Sequence, residues 1–541
     1  MQKKLPAFLL FLFCFGALNA QLLDSSFAQI GYTHVNNFTG FATSMALQAD
    51  EKIVLSLNKN ALSSQTDYDY LCRYKTNGVL DSTYGTNGLA SMYAWGSGAM
   101  NNDIAVQPDG KAVFIGHSAY CVQIICGMDN LIVGRFDSTG HTDSTFGTDG
   151  RVKSNEIFGP LVMGAYGQQV VALPNGQLLI AGKVLMQGSY AKIFVARLNN
   201  NGAIDLSFGP NGDGLVYLGL GQYFDIADMI TDAAGNIYGT GVSYNQNDTI
   251  NPSDAYLFRL TSAGIPDPGF GSNGIVLVNT QKYDFGTSIG LRQDGKIVLG
   301  GYMRHVDPQF SAPVDTVFIS ILNSDGSHSS ILPQGFRYVP VPKPSGLLYS
   351  LIVQPDDKIL LAGCMDTVYR TDVFVARLNS DATGDYSFSG TGQYVIRYNL
   401  GVYSSFQTGT MVYSMKQQAD GKILLAGGRN LITQNVQQSV LVMRLFNGAP
   451  VITTVEETAP ENSLLIYPNP AQNEFTACLP EGTINAFLAD AAGRTVYSFP
   501  VSGSGIQQLN RPAGIPAGMY FLRAETGGGE KTVQRIVFTD Y

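Results

Sequence analysis

The sequence predicts an all-β protein, a long array of repeated β-units followed by a smaller β-domain. Three observations carry this. The motif LRQDGKIVLGG at 291–301 recurs in variant form at 46, 105, 172, 231, 353 and 418, seven copies in all. Two further motifs recur in step with it, and self-similarity at a fixed period marks a repeat architecture. The chain has 14% charged residues, 61 glycines, 28 tyrosines and 29 phenylalanines, which favours turn-rich sheet over helix.

The turn in the first motif has a mechanism. In AVQPDGKAVFIG, Pro108 presets φ, Asp109 suits the next position, and Gly110 takes the left-handed conformation that closes a type I turn with a bulge. Asn175-Gly176 and Asp294-Gly295 fit the same slot, while Asp357 and Glu51 replace the glycine. Glutamate tolerates left-handed backbone poorly, so the first turn is expected to be the least regular. The apolar run after each turn does not alternate strictly, which implies burial on both faces of a sheet.

The second motif is LDSTYGTNG at 80, with relatives at 23, 142, 204, 266 and 385. The third precedes it: LCRYKTNG at 71, VGRFDSTG at 133, VARLNNNG at 195, LFRLTSAG at 257, ISILNSDG at 319, VARLNSDA at 375 and VMRLFNG at 442. Asp81, Asp143, Asp205 and Asp267 are 62 residues apart. Arg73, Arg135, Arg197, Arg259, Arg377 and Arg444 share one slot, and Ile321 fills it in the fifth repeat, where the aspartate has also gone. Each arginine is expected to be buried beside a repeat turn, pairing with an acid or donating to carbonyls. In repeat four, strands are expected at 215–218, 226–231, 237–241 and 255–260.

These linked motifs resemble the delta-60 repeat family, whose signature is LDxSFGxxG with a DGKI-type turn and an R-x-x-x-x-G segment. The resemblance implies a β-propeller over residues 24–446. Seven units of four strands are what a seven-bladed propeller needs, and a closed ring hides the outer ends of the array.

Residues 1–20 read as a secretory signal: Lys3 and Lys4, an apolar run from Ala7 to Ala17, and Ala20 before Gln21. Phe13 stands before Cys14 where a lipidation site needs a small residue. No other run is long enough to span a bilayer. Residues 447–462 read as a linker. Residues 463–541 alternate in short strands split by Pro, Asn and Gly, consistent with a small Ig-like β-sandwich. Tyr467-Pro468-Asn469-Pro470, Gly493-Arg494 and Gly518-Met519-Tyr520 resemble the C-terminal type A sorting domain of type IX secretion cargo. That resemblance implies the type IX machinery as partner, and export to the medium or outer surface of a Gram-negative bacterium.

A net charge of −9 without a basic cluster argues against nucleic acid. The five histidines show no metal or nucleophile spacing, and no cofactor motif is present. Cys121 and Cys126 are close enough to bridge one loop, or to remain two thiols. The connections alternate between recurring turns at one end of each meander and irregular segments at the other. The irregular end gathers aromatics, among them Tyr93, Trp95, Tyr223, Tyr283 and Tyr302, the expected ligand contacts. The expected function is non-catalytic binding of an extracellular polysaccharide or protein. The alternatives are a secreted lyase or hydrolase with an acid pair in a cleft, and a purely structural adhesion component.

Overall fold

The computed structural model describes residues 22–28, 31–59, 68–93, 97–122, 125–160, 162–187, 191–219, 223–244, 253–307, 312–342, 345–366, 370–396, 408–432, 436–448, 464–467, 471–479, 482–490, 493–501, 505–529 and 531–539. The expected signal and nearly all of the expected linker lie outside them. The chain divides into two compact units, Met1–Pro450 and Val451–Tyr541.

Within the first unit each repeat is an antiparallel meander. In the second repeat, Ser97–Val106, Ala112–Val122, Ile125–Phe136 and Arg151–Lys153 pair in chain order. In the third, Val162–Ala172, Leu178–Met186, Lys192–Leu198 and Leu215–Leu218 do the same. Leu215–Leu218 therefore ends one sheet and does not begin the next, which corrects the strand order expected from the sequence. The reason is local. Asp205 N donates to Arg197 O at 2.8 Å and Arg197 N to Gly214 O at 3.3 Å, so the turn folds back onto its own sheet.

The same shift closes the array. The long strand Tyr32–Leu47 serves two sheets. Tyr32, Thr33 and His34 pair with Met443, Val442 and Leu441 of the last repeat, and Gly40 to Leu47 pair with Ile53–Lys59. The first strands of successive repeats pack on one another in sequence, and Thr408–Gln417 of the last packs on Tyr32–Leu47. Buried aliphatic and aromatic side chains fill every junction between neighbouring sheets. At the closing junction, Leu424, Ala426, Val440 and Val442 meet Ile53, Leu55 and Leu57. Each first strand carries a β-bulge at the same level, for example between Asn101 and Asp103 and between Ile226 and Asp228. This explains the glycine late in the DGKI motif. A Cβ at Gly116, Gly241 or Gly427 would run into the carbonyl oxygen of Met100, Asp225 or Met411 beside the bulge.

The turns adopt the expected geometry, with Gly110, Gly295 and Gly421 at φ +84°, +78° and +85°. Glu51 sits at φ +62° in an equally regular turn, against expectation. The same two backbone bonds hold it, Gln48 N to Lys52 O and Glu51 N to Gln48 O, both 2.9 Å. They outweigh a modest left-handed penalty.

Each repeat arginine clasps two repeats. Arg73 Nε donates to Asp81 at 2.9 Å, while its Nη1 donates to Ser138 O of the next repeat at 2.7 Å. Arg197 does the same with Asp205 (2.7 Å) and Ser262 O (2.8 Å), and Arg377 with Asp385 (2.7 Å) and Asn447 O (2.7 Å). Arg135 pairs with Asp143 at 2.9 Å and reaches Asn200 O; Arg259 pairs with Asp267 at 3.2 Å and reaches Ser324 O at 2.9 Å. The last arginine pairs with the first aspartate: Arg444 Nε donates to Asp24 at 2.8 Å across 420 residues, and its Nη1 to Thr76 O at 2.6 Å. The guanidinium of Arg73, Arg135, Arg197, Arg377 or Arg444 also lies over Tyr84, Phe146, Phe208, Phe388 or Phe27, the aromatic of the LDxSFG motif.

Repeat five has Ile321 and Ser329 in the two slots. There Arg292, in the DGK turn, donates Nη1 to Ser380 O at 2.6 Å, the carbonyl equivalent to Ser324 O, and places Nη2 3.5 Å from Asp357. Repeats one, two and seven carry Gln48, Gln107 and Gln418 at that turn position, each accepting from the clasp arginine of its own repeat. The cation has moved within the repeat while its target stays the same.

The second unit has a three-stranded sheet (Leu465–Tyr467, Glu474–Leu479, Gly505–Asn510) and a four-stranded one (Thr495–Phe499, Thr483–Ala489, Gly518–Thr526, Lys531–Phe538). Phe475 and Leu509 from one and Leu488, Leu522, Ile536 and Phe538 from the other share one core.

Two outcomes follow for stability. Arg292→Gln leaves the Ser380 carbonyl without its charged donor and is expected to cost about 1–3 kcal/mol in denaturant unfolding. Adding Ile321→Arg and Ser329→Asp should recover most of it; a triple variant weaker than the single one contradicts the exchange. Burial alone would raise the clasp carboxyls of Asp143, Asp205 and Asp385. Their bonds to Thr145, Ser207 and Ser387, and to the arginines, outweigh it and hold all three at about 2. Folded values below unfolded ones mean stability present at neutral pH and lost as pH falls from about 4 toward 2. The thermal midpoint should drop through that window, and less steeply in Asp205→Asn.

Candidate functional site

The recurring turns join first strand to second and third to fourth, so the irregular connections all emerge from the opposite end. At that end, where the first strands of repeats two, three and four converge, lies a cleft of about 270 Å³. Asn102, His117, Tyr166, Gln168, Gln169 and Lys183 line it. The bulge turns the amide of Asn102 onto Gly167 O at 2.6 Å and within 3.3 Å of His117 Nδ1. The His117 ring meets Tyr166 edge-on at 5.0 Å, and Lys183 Nζ stands 5.6 Å over Tyr166. Lys183 pairs with Asp225 at 2.7 Å, and Gln168 Nε2 donates to the same carboxylate at 3.0 Å.

The aromatic surface continues into repeats four and five. Phe285 and Tyr302 are cross-strand partners stacked at 4.7 Å with 14° between planes, and Tyr244 abuts Phe285 at 6.4 Å. Burial raises the phenols of Tyr244 and Tyr302, so both stay neutral donors. Arg304 forks onto Asp315 at 2.8 and 3.1 Å beside them. Flat rings flanked by paired charges suit the apolar faces and hydroxyl edges of sugar rings.

Just past the bulges a polar belt links the first strands. Ser44 Oγ donates to Asp103 at 2.7 Å and Val170 N to Asp103 at 3.0 Å. Ser288 Oγ and Ile289 N donate to Asp228 at 2.8 and 2.9 Å, and Leu351 N donates to Ser288 Oγ at 3.1 Å. These bonds satisfy edge amides that no neighbouring strand pairs. Burial raises both carboxyls, against the pull of those amides and of Lys416.

The expected contacts fall unevenly. Tyr93 is 51% exposed and meets Tyr68 at 5.5 Å, and Tyr283 is 39% exposed. Tyr302 belongs to the stack described. Trp95 lies outside the described residues, as does the side chain of Tyr223. Cys121 and Cys126 are register partners on adjacent strands, and their side chains lie outside as well. In the second unit, Gly493 (φ +80°) closes the turn that lets exposed Arg494 pair with Asp490 at 2.9 Å. Tyr520 is buried on Phe538 and donates to Pro516 O at 3.1 Å, while Gly518 opens the same strand. The backbone of Tyr467 ends a strand, and Pro468, Asn469 and Pro470 lie outside the described residues. His117, Lys183, Gln168 and Asp225 escaped the sequence reading because each occurs in one repeat only. The belt leaves a signal in the sequence, a polar residue four positions before the first residue of each turn, from Ser44 before Gln48 to Ser414 before Gln418.

Residues 465–539 match the family described as secretion system C-terminal sorting domain. Residues 173–208 and 354–388 match the family described as domain of unknown function (DUF5122) beta-propeller. None of the curated proteins matches the chain. Among solved structures, the polysaccharide lyase Uly1 aligns at 10% identity over 77% of this chain and 92% of its own, with a TM-score of 0.45. An α-L-arabinanase of Penicillium chrysogenum aligns at 9% identity over 76% and 96%, with a TM-score of 0.37. A virginiamycin B lyase from Staphylococcus aureus aligns at 7% identity over 83% and 95%, with a TM-score of 0.27. Likenesses this distant carry no argument about activity. The two family matches make the chain a β-propeller protein with a type IX secretion sorting domain, exported and then secreted or attached at the surface of a Gram-negative bacterium.

Proposed function

We propose that the seven repeats are the blades of a seven-bladed propeller, followed by an Ig-like sorting sandwich, and that the irregular end binds an extracellular polysaccharide without transforming it. The carrying observation is the set of rings Tyr166, Tyr244, Phe285 and Tyr302 (the arc) along one end of neighbouring repeats, with Lys183–Asp225 beside Tyr166 and Arg304–Asp315 beside Tyr302. Clasped turns at one end leave the other free to vary, and variable segments on a rigid scaffold are where recognition is built. The arc is open, and its four charges are paired with one another, which suits holding a chain more than cleaving it. The sorting domain brings the propeller to the type IX machinery through the Tyr467–Pro470, Gly493-Arg494 and Gly518–Tyr520 motifs.

One observation favours a second reading, a polysaccharide lyase. His117 and Tyr166 are candidate proton carriers in one cleft, with the Asn102 and Gln168 amides and the Lys183 cation able to neutralise a carboxylate. The same assay separates the two. Affinity electrophoresis of the chain against acidic and neutral polysaccharides should show retention by at least one. Tyr166→Ala and Tyr302→Ala should each weaken it about tenfold, near 1.4 kcal/mol, with an unchanged thermal midpoint. Retention by none, or by both variants as by the wild type, contradicts binding at the arc. Release of unsaturated oligosaccharide, abolished in His117→Ala, replaces this reading with the lyase.

A further inference from the structure

A second cavity lies on the other face of the second repeat. Along Ala112–Val122 successive side chains point to opposite sheet faces, so His117 lines the arc cleft while Ser118 lines this cavity. It measures about 420 Å³. Its polar lining is Ser118, Asn130, Arg151, Lys153, Ser154 and Asn155, with Ile132 and Val162 among its apolar walls. The short helix Ser154–Phe158 beside it is the one helix among the described residues, so the second repeat departs here from the shared pattern.

Two features of the lining point to a ligand. Ser118 is 1% exposed, and its hydroxyl has no hydrogen-bond partner among the described residues. A buried hydroxyl left in that state costs about 1–3 kcal/mol. Arg151 is 5% exposed, and its guanidinium lines the same space. Among the described residues the lining carries two cations, Arg151 and Lys153, and no acid. Asp69, buried on the neighbouring repeat, feels the Arg151 charge, yet burial pushes its carboxyl up to about 7.

We propose that this cavity binds a uronic acid residue, with the Arg151 guanidinium forking its carboxylate and Ser118 and Asn130 bonding its ring hydroxyls. A planar guanidinium matches a carboxylate in two parallel bonds, which selects an acid sugar over its neutral counterpart. A cavity of this volume fits a single sugar residue or a chain end. The site stands independently of the arc, since the two lie on opposite faces of one sheet.

The test is calorimetric titration of the full chain with D-glucuronate and with D-glucose. Saturable binding of glucuronate is expected, with glucose weaker by at least about tenfold. Ser118→Val removes the hydroxyl without breaking a bond in the free protein, so the thermal midpoint should hold while glucuronate affinity falls about tenfold. Asn130→Asp, which adds a negative charge to the lining, should abolish glucuronate binding and leave polysaccharide retention at the arc intact. Tyr166→Ala should leave glucuronate binding unchanged. No saturable glucuronate binding, equal binding of glucose, or wild-type affinity in Ser118→Val and Asn130→Asp overturns the assignment.

Discussion

A buried guanidinium that holds its own repeat with one nitrogen and the next repeat with another is the interaction on which the array depends. Arg73 and Arg377 spend Nε on an aspartate eight residues on and Nη1 on a carbonyl of the following repeat. Burying a charge is costly unless it is paired and its donors are used, and here the carboxylate, the carbonyl and an aromatic face share that work. The LDxSFG motif is the complementary half. Its aspartate takes the charge, its serine or threonine caps that aspartate, as Ser26 does Asp24 at 2.6 Å, and its aromatic lies under the guanidinium. Placing Asp24 at the beginning of the chain and Arg444 at the end of the array turns a contact between neighbours into a closure.

Much of this was legible in the sequence because repetition exposes it. Arginine and aspartate recur at fixed spacing, and both vanish together at Ile321 and Ser329, as a coupled pair requires. What stayed hidden was connectivity. Chain order suggests that Asp24 belongs with the first repeat, and only strand pairing shows it completing the last. Arg292 was equally opaque, because its position reads as an ordinary turn residue until Ser380 is seen at its tip. Glu51 shows the converse: local propensity argued for an irregular turn, and the flanking hydrogen bonds overrode it.

The same logic explains why the proposed binding surfaces were harder to read. Residues that hold the array appear in nearly every repeat, whereas the residues of the proposed arc appear once. His117 is one of five scattered histidines, and Lys183 and Asp225 belong to no motif; the bulged first strands bring them together. Composition singled out the irregular end, since aromatics gather in its segments. It singled out Tyr302 but not its stacking partner Phe285, which depends on cross-strand register. The bulge is thus both a packing device and the feature that turns polar groups toward the cleft.

The central claim is that the two ends of the array are joined as firmly as any neighbouring pair of repeats. Amide hydrogen exchange measures this directly. The account predicts that the amides of Asp24, Phe27 and Arg444, all bonded across or within the closing junction, exchange as slowly as those of Ala112–Val122, and that Asp24→Ala accelerates them selectively. Fast exchange at Asp24 and Phe27, as in an unattached N-terminal segment, with the remaining repeats fully protected, would contradict it.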